Sequence, residues 1–303
     1  MAISRSQLVK ELEPGLNALF GLEYDKYENE HAEIFNQESS DRAFEEEVML
    51  TGFGNAPLKQ EGAAVTFDSA NEAYTARYSH ETVALAFSIT EEAVEDNLYD
   101  RLSARYTRAL ARSMAHTKQI KAANVLNNAF TGGASAGGDG VSLVNTAHPT
   151  TGGGNFSNRN ATDADLNETS LEQAMIDISQ FIDERGLRIA VQARKLIVPP
   201  QLMFVADRIL NSTLRTGTAD NDINALVNMS MLPEGYRVNH YLTDTDAYFI
   251  MTDAPNGFKH FVRTPLATAM EGDFDTGNVR YKARERYSFG FSDPRCVYGS
   301  QGS

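Results

Sequence analysis

Charged side chains are the residues of this sequence whose spacing most clearly suggests chemistry, and that chemistry is ion pairing. The acidic segment, residues 23–47, carries ten acidic and two basic side chains, whereas residues 101–121 carry six basic side chains and no acidic one. Opposite charges on two copies of a chain steer and align them, although each exposed pair contributes under ~1 kcal/mol. The two blocks are therefore either solvated faces or the two sides of an interface.

Catalytic and metal chemistry has little support in the sequence. The glycine-rich stretch 131–166 contains neither a GK[ST] ending nor a G-x-G-x-x-G pattern, so it reads as a loop. The six histidines do not recur at metal-ligand spacing, and HExxH and G-x-S-x-G are absent. Cys296 is the single cysteine, which excludes an internal disulfide. We predict no enzyme activity, no cofactor and no metal.

Bulk composition narrows the class of protein further. The chain has 303 residues and a net charge of −14, and a uniformly acidic surface disfavours general binding to nucleic acid. No apolar run approaches the ~20 residues that cross a bilayer. The start, MAISRSQLVKELEPG, lacks the apolar core of a signal peptide. We expect a protein that is made in a cytoplasm and has no membrane partner.

A long helix must position most of the basic block. Residues 91–127 contain no Pro or Gly, which predicts a helix of ~55 Å. Its predicted apolar face comprises Leu98, Leu102, Tyr106, Ala109, Leu110, Thr117 and Ile120. Four arginines, which we call the arginine stripe, follow one another at spacings of 4, 3 and 4 residues: Arg101, Arg105, Arg108 and Arg112. They fit within roughly 60° of the helix surface, beside the apolar face.

A long strand must position a second set of bases. Residues 279–291 alternate with a period of two, which predicts a strand of ~43 Å. Its apolar face includes Tyr281 and Tyr287 together with Glu285. Its other face carries four bases, which we call the basic ladder: Arg280, Lys282, Arg284 and Arg286.

The first 89 residues contain extended pieces that lack neighbours in their own sequence. A short helix is predicted over residues 4–22, and the acidic segment reads as an extended arm that cannot bury itself. Residues 48–89 read as a long hairpin with a tip rich in Gly and Pro. A long hairpin edge, a charged arm and a spine-length helix each need a partner surface, which identical copies can supply.

A compact α/β module is predicted between the two long elements. A helix over residues 169–185 would begin with a capping box of Thr169 and Glu172 and end at Gly186. A strand at residues 194–198, a helix that starts after Pro200, and further strands at 247–252 and 258–263 complete the module.

Four segments in this order resemble the major capsid protein of tailed bacteriophages, most of all the Mu-like major head subunit group. They are residues 43–68 (AFEEEVMLTGFGNAPLKQEGAAVTFD), 78–130 (beginning YSHETVALAFSITEE), 144–158 (VNTAHPTTGGGNFSN) together with 194–226 (from RKLIVPPQLMF to NDINAL), and 284–300 (RERYSFGFSDPRCVYGS). The resemblance implies the α+β fold of these proteins, called the Johnson fold. It assigns four parts: an N-terminal arm (1–47), an extended β-hairpin loop (48–89), a peripheral domain with a spine helix (90–130 and 262–303) and an axial domain (131–261).

The resemblance also implies a function. Copies of a major capsid protein form hexamers and pentamers that close into an icosahedral head, a part of the virion, around double-stranded DNA. Portal, scaffolding or decoration proteins and the packaged DNA are its further expected partners. An encapsulin-like nanocompartment shell is the alternative, and a soluble hydrolase is a remote one.

We expect the function to be spread over interfaces between subunits. The acidic side of the interface comprises Glu28, Glu30, Glu33, Glu45, Glu46 and Glu47. The loop contributes Phe53 and Lys59, and the arginine stripe and the basic ladder form the basic side. The stripe has a competing role, which is contact with packaged DNA.

Overall fold

The computed structural model describes residues 5–90, 92, 99–215, 222–273 and 277–303, which form a mixture of helices and β-sheets. The chain divides into two compact units. The first unit is formed by residues 1–45, 78–122 and 260–289, and the second by residues 46–77, 123–259 and 290–303. None of the helices in the described residues combines the length and the hydropathy of a membrane span.

The first unit is built on a four-stranded sheet with the order β1-β10-β11-β4. Its elements are α1 (Arg5–Tyr24), a 3₁₀ turn (Glu30–Glu33), β1 (Asn36–Ser39), β4 (Glu81–Ile89), most of α2 (Tyr99–Asn127), and most of β10 (Phe258–Gly272) and β11 (Val279–Phe291). Its core joins α1 and α2 to the sheet through Phe20, Met114 and Tyr281.

The spine helix α2 confirms the predicted helix over its described residues, whereas residues 91 and 93–98 lie outside them. The predicted apolar face is right at Leu110, which is buried in the core, and wrong at Tyr106 and Ile120, which are 50% and 37% exposed. The buried face instead carries mostly small or unbranched side chains, among them Thr107, Ala111 and Met114. Small residues allow a helix to approach a sheet closely. The side of α2 that faces the sheet is therefore decided by how closely the backbones can pack more than by side-chain hydrophobicity.

Strand β11 confirms the predicted alternation from Val279 to Tyr287, beyond which both faces are covered. Tyr281, Ala283, Glu285 and Tyr287 are buried on one face, as expected. Strand β4 pairs with β11 in antiparallel register, from Val279 opposite Ile89 to Tyr287 opposite Glu81. The pairing explains why residues 83–89 also alternate in sequence.

The acidic segment differs from the predicted arm that cannot bury itself. Ile34 and Phe35 are buried, and the Phe35 ring packs edge-on against Phe289 at 5.1 Å between centroids. The backbone N–H of Ser40 donates to the carbonyl of Val262 at 3.0 Å. A few apolar residues among many charges are sufficient to hold the segment in the first unit.

The second unit is built on a four-stranded sheet with the order β12-β9-β7-β8 and on two smaller strand pairs, β2-β3 and β5-β6. Its strands are most of β2 (Phe44–Leu50) and β3 (Glu72–Ser79), and β5 (His148–Pro149), β6 (Asn155–Phe156), β7 (Ala193–Val198), β8 (Tyr236–Val238), β9 (Tyr248–Thr252) and β12 (Val297–Ser300). Its helices are α3 (Glu168–Ser179), α4 (Met203–Asn211) and α5 (Ala225–Asn228), with 3₁₀ turns at Gly133–Ser135, Pro200–Leu202 and Pro294–Cys296.

Two details of the predicted α/β module are wrong. Asn167 caps α3 by accepting a hydrogen bond from the N–H of Ser170, so the capping box lies two residues earlier than predicted. The helix ends at Ser179, and Gly186 has a φ of +81° in a separate turn closed by Asp183 and Leu187.

Residues 290–303, which we grouped with the spine helix, lie in the second unit because β12 pairs with β9.

Candidate assembly interfaces

The arginine stripe lies on the exposed side of α2. Arg105, Arg108 and Arg112 are exposed, and the Arg101 backbone lies in the helix while its side chain is outside the described part. Arg108 attracts the Glu23 carboxylate, whose pKa is lowered first by its hydrogen bond to Lys26 and then by these positive charges. Arg105 and Arg112 form no ion pair with any residue that the structure describes.

The basic ladder lies on the exposed face of β11, as its alternation predicted. Arg280, Lys282 and Arg284 are exposed, and Arg286 is half-buried. Arg280 forms an ion pair with Asp273 at 2.5 Å. The four residues of β4 that pair with the ladder are small and exposed: Thr82, Ala84, Ala86 and Ser88. The ladder is therefore a row of long basic side chains that stands beside a row of small ones.

Glu285, which the sequence placed on the apolar face of β11, has a partner on α2. The Lys118 ammonium lies 3.3 Å from its carboxylate, and the two side chains are 16% and 2% exposed respectively. Burial raises the pKa of Glu285, while the charge of Lys118 and a hydrogen bond with Tyr24 oppose the rise. This pair ties the spine helix to the strand that carries the basic ladder.

The three consecutive glutamates at the end of the acidic segment are already bound within their own chain. Glu45 accepts a hydrogen bond from Ser40 at 2.7 Å. Glu46 lies 3.7 Å from Arg77, and Glu47 lies 3.2 Å from Lys259. Their alternation along β2 sends successive side chains to different partners, which a linear count of charges could not show.

The earlier part of the acidic segment remains at the surface. Glu28 and Glu33 are exposed and Glu30 is half-buried. Gln119 of α2 holds the backbone of this stretch through two hydrogen bonds of 3.2 Å. Its Nε2 donates to the carbonyl of Glu28, and its Oε1 accepts from the N–H of His31. Glu28 and Glu33 therefore sit on an anchored backbone.

Between β2 and β3 lies an irregular stretch, residues 51–71, which we call the apolar loop. Phe53 is 63% exposed, Leu58 is fully exposed and Phe67 is 95% exposed. Its base is closed by Asp68, which accepts from the N–H of Gly54 at 2.7 Å and lies 3.1 Å from Arg185. These donors hold the pKa of Asp68 below its usual value. Lys59 is exposed in the same loop.

A model of a protein family decides what kind of protein carries these surfaces. The family described as phage capsid protein matches residues 73–300, which include most of both units. The chain belongs to the phage capsid protein family. No curated protein matches this capsid protein at a significant level.

Solved capsid structures share the fold of this capsid protein at low sequence identity. The capsid of the cyanophage P-SCSP1u is 11% identical with a TM-score of 0.56, and the match covers 88% of this chain and 85% of that one. The capsid of an empty GTA particle is 14% identical with a TM-score of 0.55, covering 88% and 87%. A virus-like particle from Pyrococcus furiosus is 10% identical with a TM-score of 0.53, covering 95% and 98%.

Family and fold together confirm the central prediction from the sequence. The protein is a major capsid protein, a component of the virion, and its copies form an icosahedral shell. The predicted α+β capsid fold is confirmed as well. The encapsulin-like shell is no better supported by these matches, and membership of the Mu-like group stays a prediction.

Sequence reasoning missed a buried histidine pair in the first unit of the capsid protein. His31 and His260 lie edge to face with 5.4 Å between ring centroids, and His260 stacks on Phe289 at 4.2 Å. Burial first, and then the nearby Lys118 charge, lower the pKa of His31 to about 4 and that of His260 to about 3. The two residues are 229 positions apart (260 − 31), so no local pattern reveals the pair.

A second missed network lies in the second unit of the capsid protein. His148 lies 2.6 Å from the Asp139 carboxylate and 3.1 Å from the Asn158 amide oxygen. Arg295 pairs with Glu184 at 2.8 Å. Among the described residues, no group of three or more His, Cys, Asp or Glu is arranged to hold a metal ion. The His148 contacts and the Arg295–Glu184 pair are therefore buried polar contacts that position the glycine-rich loops.

Proposed function

We propose that this capsid protein assembles into hexamers and pentamers that close into a head around double-stranded DNA, and that it acts as a structural protein without catalytic activity. The observation that supports this is the match to the phage capsid family over most of the chain. Assembly would take place in the host cytoplasm, with portal, scaffolding or decoration proteins as further partners.

The apolar loop supplies one contact between copies in this proposal. Burying a phenylalanine or leucine side chain contributes about 1.5–3 kcal/mol, and Leu58 and Phe67 are almost entirely exposed in the single chain. Contacts of this size are modest individually, but every subunit makes them with its neighbours. Multivalency then converts modest contacts into a durable shell.

Ion pairs supply the second contact. Glu28 and Glu33 of one copy would face a basic surface of its neighbour, and the basic ladder offers Lys282 and Arg284 without an ion pair to any described residue. Glu45, Glu46 and Glu47 contribute less than we expected, because they are bound within their own chain. Such pairs set the register of neighbouring subunits more than they add to affinity.

Electron microscopy and sedimentation of the expressed protein test the proposal. We expect the wild-type protein to form closed shells or rings of five and six subunits. The variant Phe67→Ser removes an exposed ring from the apolar loop, so it should weaken assembly at least about tenfold in critical concentration while the melting temperature of the unassembled subunit is unchanged.

The matched control is Gln60→Ser, which changes an exposed polar side chain in the same loop and should assemble like the wild type. A wild-type protein that stays monomeric at every concentration would contradict the proposed function. Equal assembly of the Phe67→Ser variant and the wild type would remove the loop from the interface.

A further inference from the structure

The first unit carries basic side chains on two opposite sides. Helix α2 packs through Ala111 and Met114 against Tyr281 and Ala283, which lie on the inner face of β11. The basic ladder is on the other face of that strand, because neighbouring side chains of a strand alternate. The arginine stripe is on the side of α2 that is exposed. The stripe and the ladder therefore face away from one another.

A closed shell has a single inner surface, so the two basic surfaces cannot both meet what the shell encloses. The stripe consists of arginines only, and their planar guanidinium groups bind phosphate through two parallel hydrogen bonds. Arg105 and Arg112 are ~10.5 Å apart along the helix axis. Glu23 is an acidic group close to the stripe, and its carboxylate is shared with Lys26 at 2.8 Å.

The ladder has different properties. Arg280 is neutralised by Asp273, and Arg286 is half-buried with an Nε atom that has no hydrogen-bond partner among the described residues. The small side chains opposite the ladder form a flat surface. A flat surface whose two open charges, Lys282 and Arg284, lie between a neutralised and a half-buried base suits contact with another protein surface better than contact with the curved backbone of a duplex.

We propose that the arginine stripe binds the phosphate backbone of the nucleic acid that the shell encloses. The inference rests on the proposed function, which supplies an enclosed polyanion. The net charge of −14 does not oppose it, because salt at physiological strength screens charges beyond ~8 Å. At the stripe itself the polyanion meets residues 101–121, which contain no acidic side chain.

The test compares two double variants of the full chain. Arg105→Gln/Arg112→Gln removes two charges from the stripe, and Lys282→Gln/Arg284→Gln removes two from the ladder as a matched control. Binding of unassembled subunits to a random-sequence DNA duplex of about 30 base pairs is measured by fluorescence anisotropy over a series of salt concentrations. Each phosphate contact contributes about 0.9 to the slope of log affinity against log salt.

We expect the stripe variant to bind more weakly and to lose about 1.8 from this slope, while the ladder variant keeps the wild-type slope. Equal slopes for the stripe variant and the wild type would overturn the inference. A stripe variant that keeps its affinity for the duplex but no longer forms shells would also overturn it, and would assign the stripe to the acidic segment of a second copy.

Shell formation is measured on the same preparations by electron microscopy. A stripe variant that forms normal shells and loses duplex binding supports the inference. If the wild type forms shells and the stripe variant binds the duplex as the wild type does, the proposed function stands and the inference fails. A wild type that forms no shells contradicts the proposed function, and the inference falls with it.

Discussion

The buried pair of Lys118 and Glu285 permits a quantitative prediction. The variant Lys118→Met keeps most of the aliphatic side chain and removes the charge. Glu285 then stays at 2% exposure without the ammonium that lies 3.3 Å away in the wild type. Removing one partner of a buried ion pair destabilises a protein by about 3–5 kcal/mol. Because Glu285 can take up a proton, we expect the lower end, about 3 kcal/mol at pH 7.

The pH dependence of this cost follows from the pKa of Glu285. Burial raises that pKa above its unfolded value, so the folded state binds more protons than the unfolded state between the two values. Stability from this group is complete below its unfolded pKa and is lost as pH rises through the folded pKa. Without Lys118 the folded pKa is higher still, so Lys118→Met should lose stability more steeply on the way from acid to neutral pH.

Urea unfolding of unassembled subunits at two pH values measures both effects. The matched control is Lys121→Met on the same helix, whose partner Glu81 is 65% exposed and whose own side chain is 33% exposed. Exposed pairs contribute under ~1 kcal/mol, so this variant should resemble the wild type. The double variant Lys118→Met/Glu285→Leu should recover most of the lost stability. Equal costs for Lys118→Met and Lys121→Met would refute the reasoning.

Two further predictions concern buried contacts. His31 and His260 stay neutral in the folded state, whereas the same histidines in the unfolded chain take up protons near pH 6.5. The free energy of unfolding should therefore fall by about 2 kcal/mol per histidine between pH 7 and pH 5. If the variant His260→Phe unfolded in acid just as the wild type does, the prediction would be wrong. Gly257→Ala would place a Cβ 2.4 Å from that of Cys296 and should cost about 1–3 kcal/mol, whereas Gly272→Ala, with open space, should melt like the wild type.

The long strand β11 was predictable because a two-residue alternation encodes both its conformation and its buried face. Its bounds, 279–291, agree with the prediction, and the basic ladder points to solvent as expected. The existence of α2 was equally predictable from an uninterrupted stretch without Pro or Gly. Such local signals need no knowledge of distant residues.

The interface residues were less predictable than the elements that carry them. Three members of the arginine stripe, Arg105, Arg108 and Arg112, are exposed beside the buried face of α2, but the acidic segment was misjudged. Glu45, Glu46 and Glu47 find partners at Ser40, Arg77 and Lys259, and the last of these lies more than two hundred positions away. A charge count along the chain records the sign of a segment and cannot say which charges are already paired.

The sequence by itself determined the long elements, the alternation of β11 and, through the order of its segments, the capsid family, because these depend on neighbouring residues and on overall arrangement. Only the tertiary structure decided which side of α2 is buried, which glutamates are bound and that His31 meets His260. The physical reason is that burial and pairing depend on contacts between residues far apart in the chain, and a small side chain such as Ala111 can be buried in preference to a tyrosine when the backbones pack closely.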